Sequence, residues 1–274
     1  MKLQKFTCAA VLSALVLGAV APTALAATEE ANTLNGKGTI QYIENDDSNN
    51  DGNEVVDPEK PDEKIDVEEE EGTNNNTKKG TLRVDFVSHL DFGATNKIKT
   101  GAGEYFASPT VGTNKDGDEV KRGNFVQVTD QRGDGIKGWK LSAKVTSPFT
   151  NTAGDVLNGA KITYSNPFVN SDQTDKGNLP TPTSSVVLDT TGATTNSEVM
   201  LSADAATKQG WGAYTIEYGR PALDGDDKVV EDGTTGVITQ PTMAESVKLD
   251  VPANTPLKIG DAYQATILWT IAEL

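Results

Sequence analysis

The residues that could carry out covalent or metal chemistry are few in this chain of 274 residues. His89 is the single histidine, and it lies in a strand-like stretch, where a lone histidine is more often structural than a general base. Cys8 is the single cysteine, and it lies in the N-terminal leader described below. One histidine and one leader cysteine do not assemble a zinc site of the usual ligand types. We therefore expect no metal site and no cofactor.

Carboxylate side chains are numerous, but the sequence places them in turns. The runs at 116–119 (DGDE) and 224–227 (DGDD) combine Asp with Gly, which are residue types that turns favour. The run 47–52 (DSNNDG) looks like the start of a calcium loop, but Pro58 occupies the twelfth position, where a bidentate glutamate is needed. No Gly-x-Ser-x-Gly motif is present. We expect a protein that is not an enzyme and has no catalytic residues; glycosidase action is an alternative that rests only on the number of carboxylates.

Two tryptophan-containing runs of alternating polarity are better candidates for a functional role. The run 139–145 (WKLSAKV) places Trp139 on an apolar face with every second residue, while Lys140 and Lys144 share the opposite face. Residues 263–271 (YQATILWTI) form a second such run. Each pattern predicts a strand with one buried face and one solvated face.

The elements around these runs are also short strands. Glycine, asparagine, aspartate and proline turns separate them, and no apolar stretch keeps helical spacing for a dozen residues, although 203–208 could form one helical turn. The sequence thus predicts an all-β, β-sandwich-like domain of many short antiparallel strands. In addition to 125–130 and the two runs above, the predicted strands are 82–87, 161–164, 185–188, 199–203, 214–218, 237–240 and 246–251.

The N-terminal part of the chain differs in composition from this domain. Residues 1–26 carry a basic start, an apolar run and an Ala-x-Ala end, which predict a secretory signal peptide and no membrane span after its cleavage. Residues 27–80 contain 16 acidic and 5 basic residues and predict a disordered acidic spacer or a long loop, with 36–43 as an optional strand of the main domain. The domain itself is expected at 81–274. A net charge of −16 argues against nucleic-acid binding.

The two tryptophan runs are parts of longer motifs. The first comprises 128–141 (VTDQRGDGIKGWKL), and the second comprises 249–252 (LDVP), Gly260 and 263–271. Together and in this order they resemble the two signature motifs of the WxL-domain family, surface proteins of Gram-positive bacteria. Ile271 stands where that family usually has leucine, and the chain ends in Ala-Glu-Leu where the family often has Asp-Ala-Pro.

The resemblance implies a secreted protein that attaches noncovalently to peptidoglycan at the cell wall and cell surface, together with other wall-associated surface proteins in a multi-protein complex. Noncovalent attachment agrees with residues 179–182 (LPTP), which lack the glycine of a sorting signal. The alternative is an interaction or adhesin-type protein that a partner protein holds at the wall, or that binds host matrix proteins.

The contacts behind such binding have two interpretations. Either Trp139 and Trp269 expose their indole faces to sugar rings, or both are core anchors, which their place on apolar faces favours. Lys140 and Lys144 are then the better candidates for contact with wall carboxylates or phosphates. The candidate ligand-binding residues are Trp139, Lys140, Leu141, Lys144, Trp269 and Ile271.

Overall fold

Short strands make up nearly all of the regular structure. The computed structural model describes residues 37–43, 54–67, 75–78, 80–173, 176–190, 196–222 and 241–274. The strands in these ranges are β1 Asp66–Val67, β2 Leu82–Val87, β3 Gly103–Phe106, β4 Thr110–Thr113, β5 Glu119–Arg122, β6 Asn124–Asp130, β7 Trp139–Thr150, β8 Lys161–Ser165, β9 Pro167–Asn170, β10 Thr181–Pro182, β11 Ser185–Asp189, β12 Glu198–Ala203, β13 Gly212–Tyr218, β14 Val247–Val251 and β15 Gln264–Glu273. Two 3₁₀ helices, Lys176–Asn178 and Ala205–Thr207, accompany them.

The strands form four small antiparallel sheets. Their strand orders are β1-β4-β5, β10-β12-β7-β15, β11-β8-β14-β3 and β2-β6-β13-β9. The sheets are arranged as a propeller-like ring of four rather than as two facing layers. The prediction of an all-β antiparallel protein is therefore confirmed, whereas the sandwich prediction is wrong. A period of two along a strand shows which face is buried but not how many sheets share the core.

Most of the predicted strands are present in the structure. Those at 82–87, 125–130, 161–164, 185–188, 199–203, 214–218 and 246–251 correspond to β2, β6, β8, β11, β12, β13 and β14. The expected helical turn is the 3₁₀ helix Ala205–Thr207, which the carboxylate of Asp204 caps by accepting from the Ala206 amide. The predicted strand 237–240 lies outside the described residues. The sequence does not predict β3, β4, β5 and β9, because strands of four residues give too little alternation.

Three of the sheets surround one apolar core. Strand β7 contributes Trp139, Leu141, Ala143 and Val145, and all four are buried. Strands from the two neighbouring sheets face them with further buried side chains, which include Ile162, Tyr164, Leu249, Tyr214, Ile216 and Tyr218. The alternation of β7 therefore orients its odd positions to the core and its even positions to the outside.

The sheet β2-β6-β13-β9 is covered on both faces, and β6 is buried at every position. Val126 and Val128 point into the main core. Phe125 points the other way, into a second apolar cluster with Ile65 and Phe86. Residues 54–67 pack on this sheet and carry β1, so for this part of the acidic segment the structure favours the expected long loop over the expected disordered spacer.

Two buried ion pairs connect this acidic segment to the domain. Arg122 donates from Nε and Nη2 to the carboxylate of Asp57, at 2.6 and 2.5 Å. Arg220 donates from Nε to Glu59 at 2.7 Å. Gln127 of β6 adds a bond from its amide nitrogen to the Glu54 carbonyl at 2.9 Å. Because arginines from distant parts of the chain neutralise these acids, the segment is ordered despite its composition.

The remaining N-terminal predictions fall partly outside the described residues. Residues 37–43 are exposed and form no strand, so the optional strand at 36–43 is wrong for the part that is described. The signal peptide at 1–26 and the calcium-loop-like run 47–52 lie outside the described residues.

Candidate functional site

The two tryptophan strands are direct neighbours in one sheet. Strand β15 pairs antiparallel with β7 along nearly its whole length. Trp269 lies opposite Ala143 and Ile271 lies opposite Leu141, so residues of both motifs share the inner face. Sequence alone does not predict this pairing, because more than a hundred residues separate the two strands. The motifs therefore form one structural unit.

Trp139 is a core residue at the start of β7. Its side chain is 0% exposed and lies 6.0 Å, ring to ring, from Tyr214. The indole Nε1 donates to the carbonyl of Gly210 at 2.8 Å, which satisfies its one donor inside the protein. Leu141 is equally buried. In this structure neither side chain is accessible to a ligand, and burial favours the core interpretation for both.

Trp269 occupies an intermediate position on β15. It is half-buried and packs against the main core together with Ile271. Its ring meets the Tyr164 ring edge to face, with centroids 5.8 Å apart and planes at 88°. Burial raises the pKa of the Tyr164 hydroxyl, so that ring remains neutral. Trp269 thus packs between two sheets while part of its surface stays accessible.

Other residues of the first motif connect the loop before β7 to the C-terminal end of β15. Arg132 donates from Nε and Nη2 to Asp130 at 2.9 and 2.7 Å, and its Nη1 lies 2.7 Å from Glu273 at the end of β15. The Leu274 amide donates to the Gly138 carbonyl at 3.1 Å. The motif loop 131–138 is therefore fastened to the C-terminal end of the second motif strand.

The opposite side of this strand pair faces outward, and we call it the outer face. Across it, Lys140 lies opposite Ala272, and Lys144 lies opposite Leu268. Lys140 is exposed, Lys144 is half-buried, and Leu268 is 46% exposed. The outer face consists of Lys140, Ser142 and Lys144 of β7 and Leu268, Thr270 and Ala272 of β15. Two ammonium groups and two hydroxyls there suit a polymer that is rich in hydroxyl and anionic groups.

The lysines of the outer face have no acidic partner among the described residues, unlike the lysines at two surface ion pairs of the domain. Lys115 pairs with Glu63 at 2.6 Å, and Lys248 pairs with Glu104 at 2.8 Å. Among the ion pairs of the described ranges, none includes Lys140 or Lys144. Their charges are therefore available to an external anion.

One buried acid has the perturbed pKa that often marks a functional site. Glu217 on β13 is fully buried, and its Oε1 accepts from the Gly123 amide at 2.6 Å. Burial raises its pKa well above the ordinary value, and the nearby charge of Glu59 raises it further. Because Glu217 is fully buried beside the ion pairs Arg122–Asp57 and Arg220–Glu59, it has no solvent access and is no candidate for ligand binding.

Trp211 is a surface residue that sequence reasoning missed. It lies between Gly210 and Gly212, just before β13, and 52% of it is exposed. It belongs to neither motif and to no alternating run, so periodicity gave no reason to select it. Its signal in the sequence is its position as a large aromatic residue between two glycines.

The described residues hold no group of three or more His, Cys, Asp or Glu side chains that could bind a metal ion. No helix within the described part of the chain is long and apolar enough to cross a membrane.

The chain matches a known protein family. A family model described as WxL domain, surface cell wall-binding, matches residues 29–274. No curated protein and no solved structure matches the chain. The family match begins well before residue 81 and so includes the acidic segment 54–67 that packs on the sheet.

Proposed function

Because the chain belongs to the WxL family of surface cell-wall-binding proteins, we propose that it is a secreted, non-enzymatic protein whose outer face binds peptidoglycan noncovalently. The observation that carries this proposal is the outer face itself, a solvated sheet surface with two unpaired lysines. It is formed by the outward-pointing residues of β7 and β15, the two strands that bear the family's motifs. Trp139 and Trp269 pack on the inner face of these strands, whereas the outer-face residues that alternate with the inner-face residues are accessible to a ligand.

The chemistry of the outer face fits a wall polymer. Peptidoglycan offers hydroxyl and amide groups along its sugars and carboxylates on its peptides. Lys140 and Lys144 would pair with those carboxylates, while Ser142 and Thr270 would exchange hydrogen bonds with sugar hydroxyls. The chain carries a net charge of −16, which opposes long-range attraction to an anionic wall. Recognition would therefore depend on short-range contacts, and moderate salt should weaken it only in part.

A second candidate function rests on the edge of the same sheet. In the described sheet β15 is a terminal strand, with β7 as its neighbour on one side. An edge strand can pair with a strand of another protein. In this alternative, a wall-associated surface protein or a host matrix protein is the main ligand, and attachment to the wall is indirect.

Co-sedimentation separates the two candidates. Purified 27–274 would be mixed with protein-free Gram-positive sacculi, and in parallel with whole cells, and then pelleted. Direct peptidoglycan binding predicts recovery of the protein in both pellets. Recovery with whole cells but not with bare sacculi would contradict direct binding and support a protein partner.

A further inference from the structure

Trp211 has the exposure that Trp139 lacks. Of the three tryptophans in the chain, Trp139 is 0% exposed, Trp269 is half-buried, and Trp211 is 52% exposed. An aromatic platform for a sugar needs an accessible ring face. The third tryptophan, outside both motifs, meets this condition best.

The backbone on both sides of Trp211 is held firmly by side chains of the core and its rim. The buried Trp139 indole donates to the carbonyl of Gly210 at 2.8 Å. The Tyr214 hydroxyl donates to the carbonyl of Trp211 at 2.9 Å, and the Gln173 amide donates to the same oxygen. Binding therefore requires little ordering of the chain, and a preorganised contact retains more of its interaction energy.

The two flanking glycines are required by this geometry. Gly210 has φ +112° and Gly212 has φ +120°, a region that side chains rarely adopt. A Cβ at Gly210 would lie 2.9 Å from Nε1 of Trp139, and a Cβ at Gly212 would lie 2.2 Å from Nε2 of Gln173. The fold thus presents the Trp211 indole on a segment that tolerates little variation.

Trp211 directly precedes β13 and lies next to a residue that contacts the first motif. Gly210 accepts the hydrogen bond of the Trp139 indole, which points to the core side of β7, whereas Lys140 points to the outer face. The backbone carbonyl of Lys137 also lies close to Gly210, 3.1 Å from the position of a Cβ there. The segment that carries the exposed indole is therefore held against the loop of the first motif.

We propose that Trp211 is a platform on which a sugar ring of the peptidoglycan glycan strand stacks. This inference rests on the proposed function and adds a residue that neither motif contains. The apolar C–H face of a pyranose ring is complementary to an indole face, whose quadrupole is negative.

The test is the affinity of purified 27–274 for protein-free sacculi, measured with Trp211→Ala and Trp211→Phe. Truncation of an aromatic anchor should weaken binding by about tenfold or more, with Phe intermediate. Ile98→Ala is the matched control, because Ile98 is 53% exposed and lies outside the motif sheet. It should bind like the wild type.

The outcomes separate this inference from the proposed function. Equal affinity of wild type and Trp211→Ala would overturn the platform and leave wall binding intact. A wild type that does not bind bare sacculi would overturn both. If Trp211→Ala unfolds, the test uses the wild-type protein with glycan fragments released from sacculi. The fragments should protect the fluorescence of its exposed tryptophan from acrylamide quenching. Absence of protection would overturn the platform.

Discussion

Replacement of Trp139 by alanine is the sharpest test of the structural role of the first motif. The substitution removes a side chain that is 0% exposed and lies beside Tyr214. Truncation of a buried tryptophan costs about 3–5 kcal/mol. It also leaves the buried Gly210 carbonyl without the indole donor that lies 2.8 Å away, which adds about 1 kcal/mol.

The expected consequence is a large fall in thermal stability. In domains of about 150–250 residues, a loss of 1 kcal/mol lowers Tm by roughly 2–4 °C. Trp139→Ala should therefore lower Tm by about 10–20 °C, if the variant folds at all. Far-UV circular dichroism or differential scanning calorimetry measures the change.

Two further variants make the comparison specific. Trp139→Phe retains much of the ring but loses the indole donor, so its Tm should lie between those of the wild type and Trp139→Ala. Trp211→Ala removes an exposed indole and should change the free energy of unfolding by no more than about 0.5 kcal/mol. A Trp139→Ala protein that melts within about 2 °C of the wild type would refute the reasoning.

Two other predictions concern the buried ion pairs. Arg122→Met leaves Asp57 buried without its partner and should lower the free energy of unfolding in urea by about 3–5 kcal/mol. The control Lys115→Met, at an exposed pair, should leave the urea midpoint nearly unchanged. Equal effects of the two variants would contradict the buried pairing. Burial raises the pKa of Glu217 in the folded protein well above its ordinary value of 4.5, so its contribution to stability falls as pH rises from that value towards the raised pKa. The Tm of Glu217→Gln relative to the wild type should therefore increase as pH rises above about 4.5, and a pH-independent difference would contradict the raised pKa.

The sequence predicts those parts of the fold whose signals are local. The alternation in WKLSAKV identifies β7 and its inner face because a strand alternates over its own few residues. Likewise, the helical turn expected at 203–208 is a local feature, and in the structure the adjacent Asp204 caps it. The sandwich expectation failed at a different level, since strand patterns do not specify how four small sheets close around a core.

The missed features depend on contacts between distant residues. Asp57 and Arg122 are 65 positions apart, and Glu59 and Arg220 are 161 positions apart. Composition therefore showed an acidic, polar stretch but not the arginines that neutralise it. The fixed backbone at Trp211 was hidden in the same way, because Gln173 donates to its carbonyl and Trp139 donates to the carbonyl of Gly210.

The outer face is the central element of the proposed function, and charge reversal tests it most directly. The measurement is the fraction of 27–274 that co-sediments with protein-free sacculi, for Lys140→Glu/Lys144→Glu and for a control, Lys121→Glu/Lys161→Glu. The control reverses the same number of charges on exposed lysines of β5 and β8, in other sheets. The account predicts that the control pellets like the wild type while the outer-face variant stays in the supernatant with an unchanged Tm. Equal pelleting of both variants would contradict it.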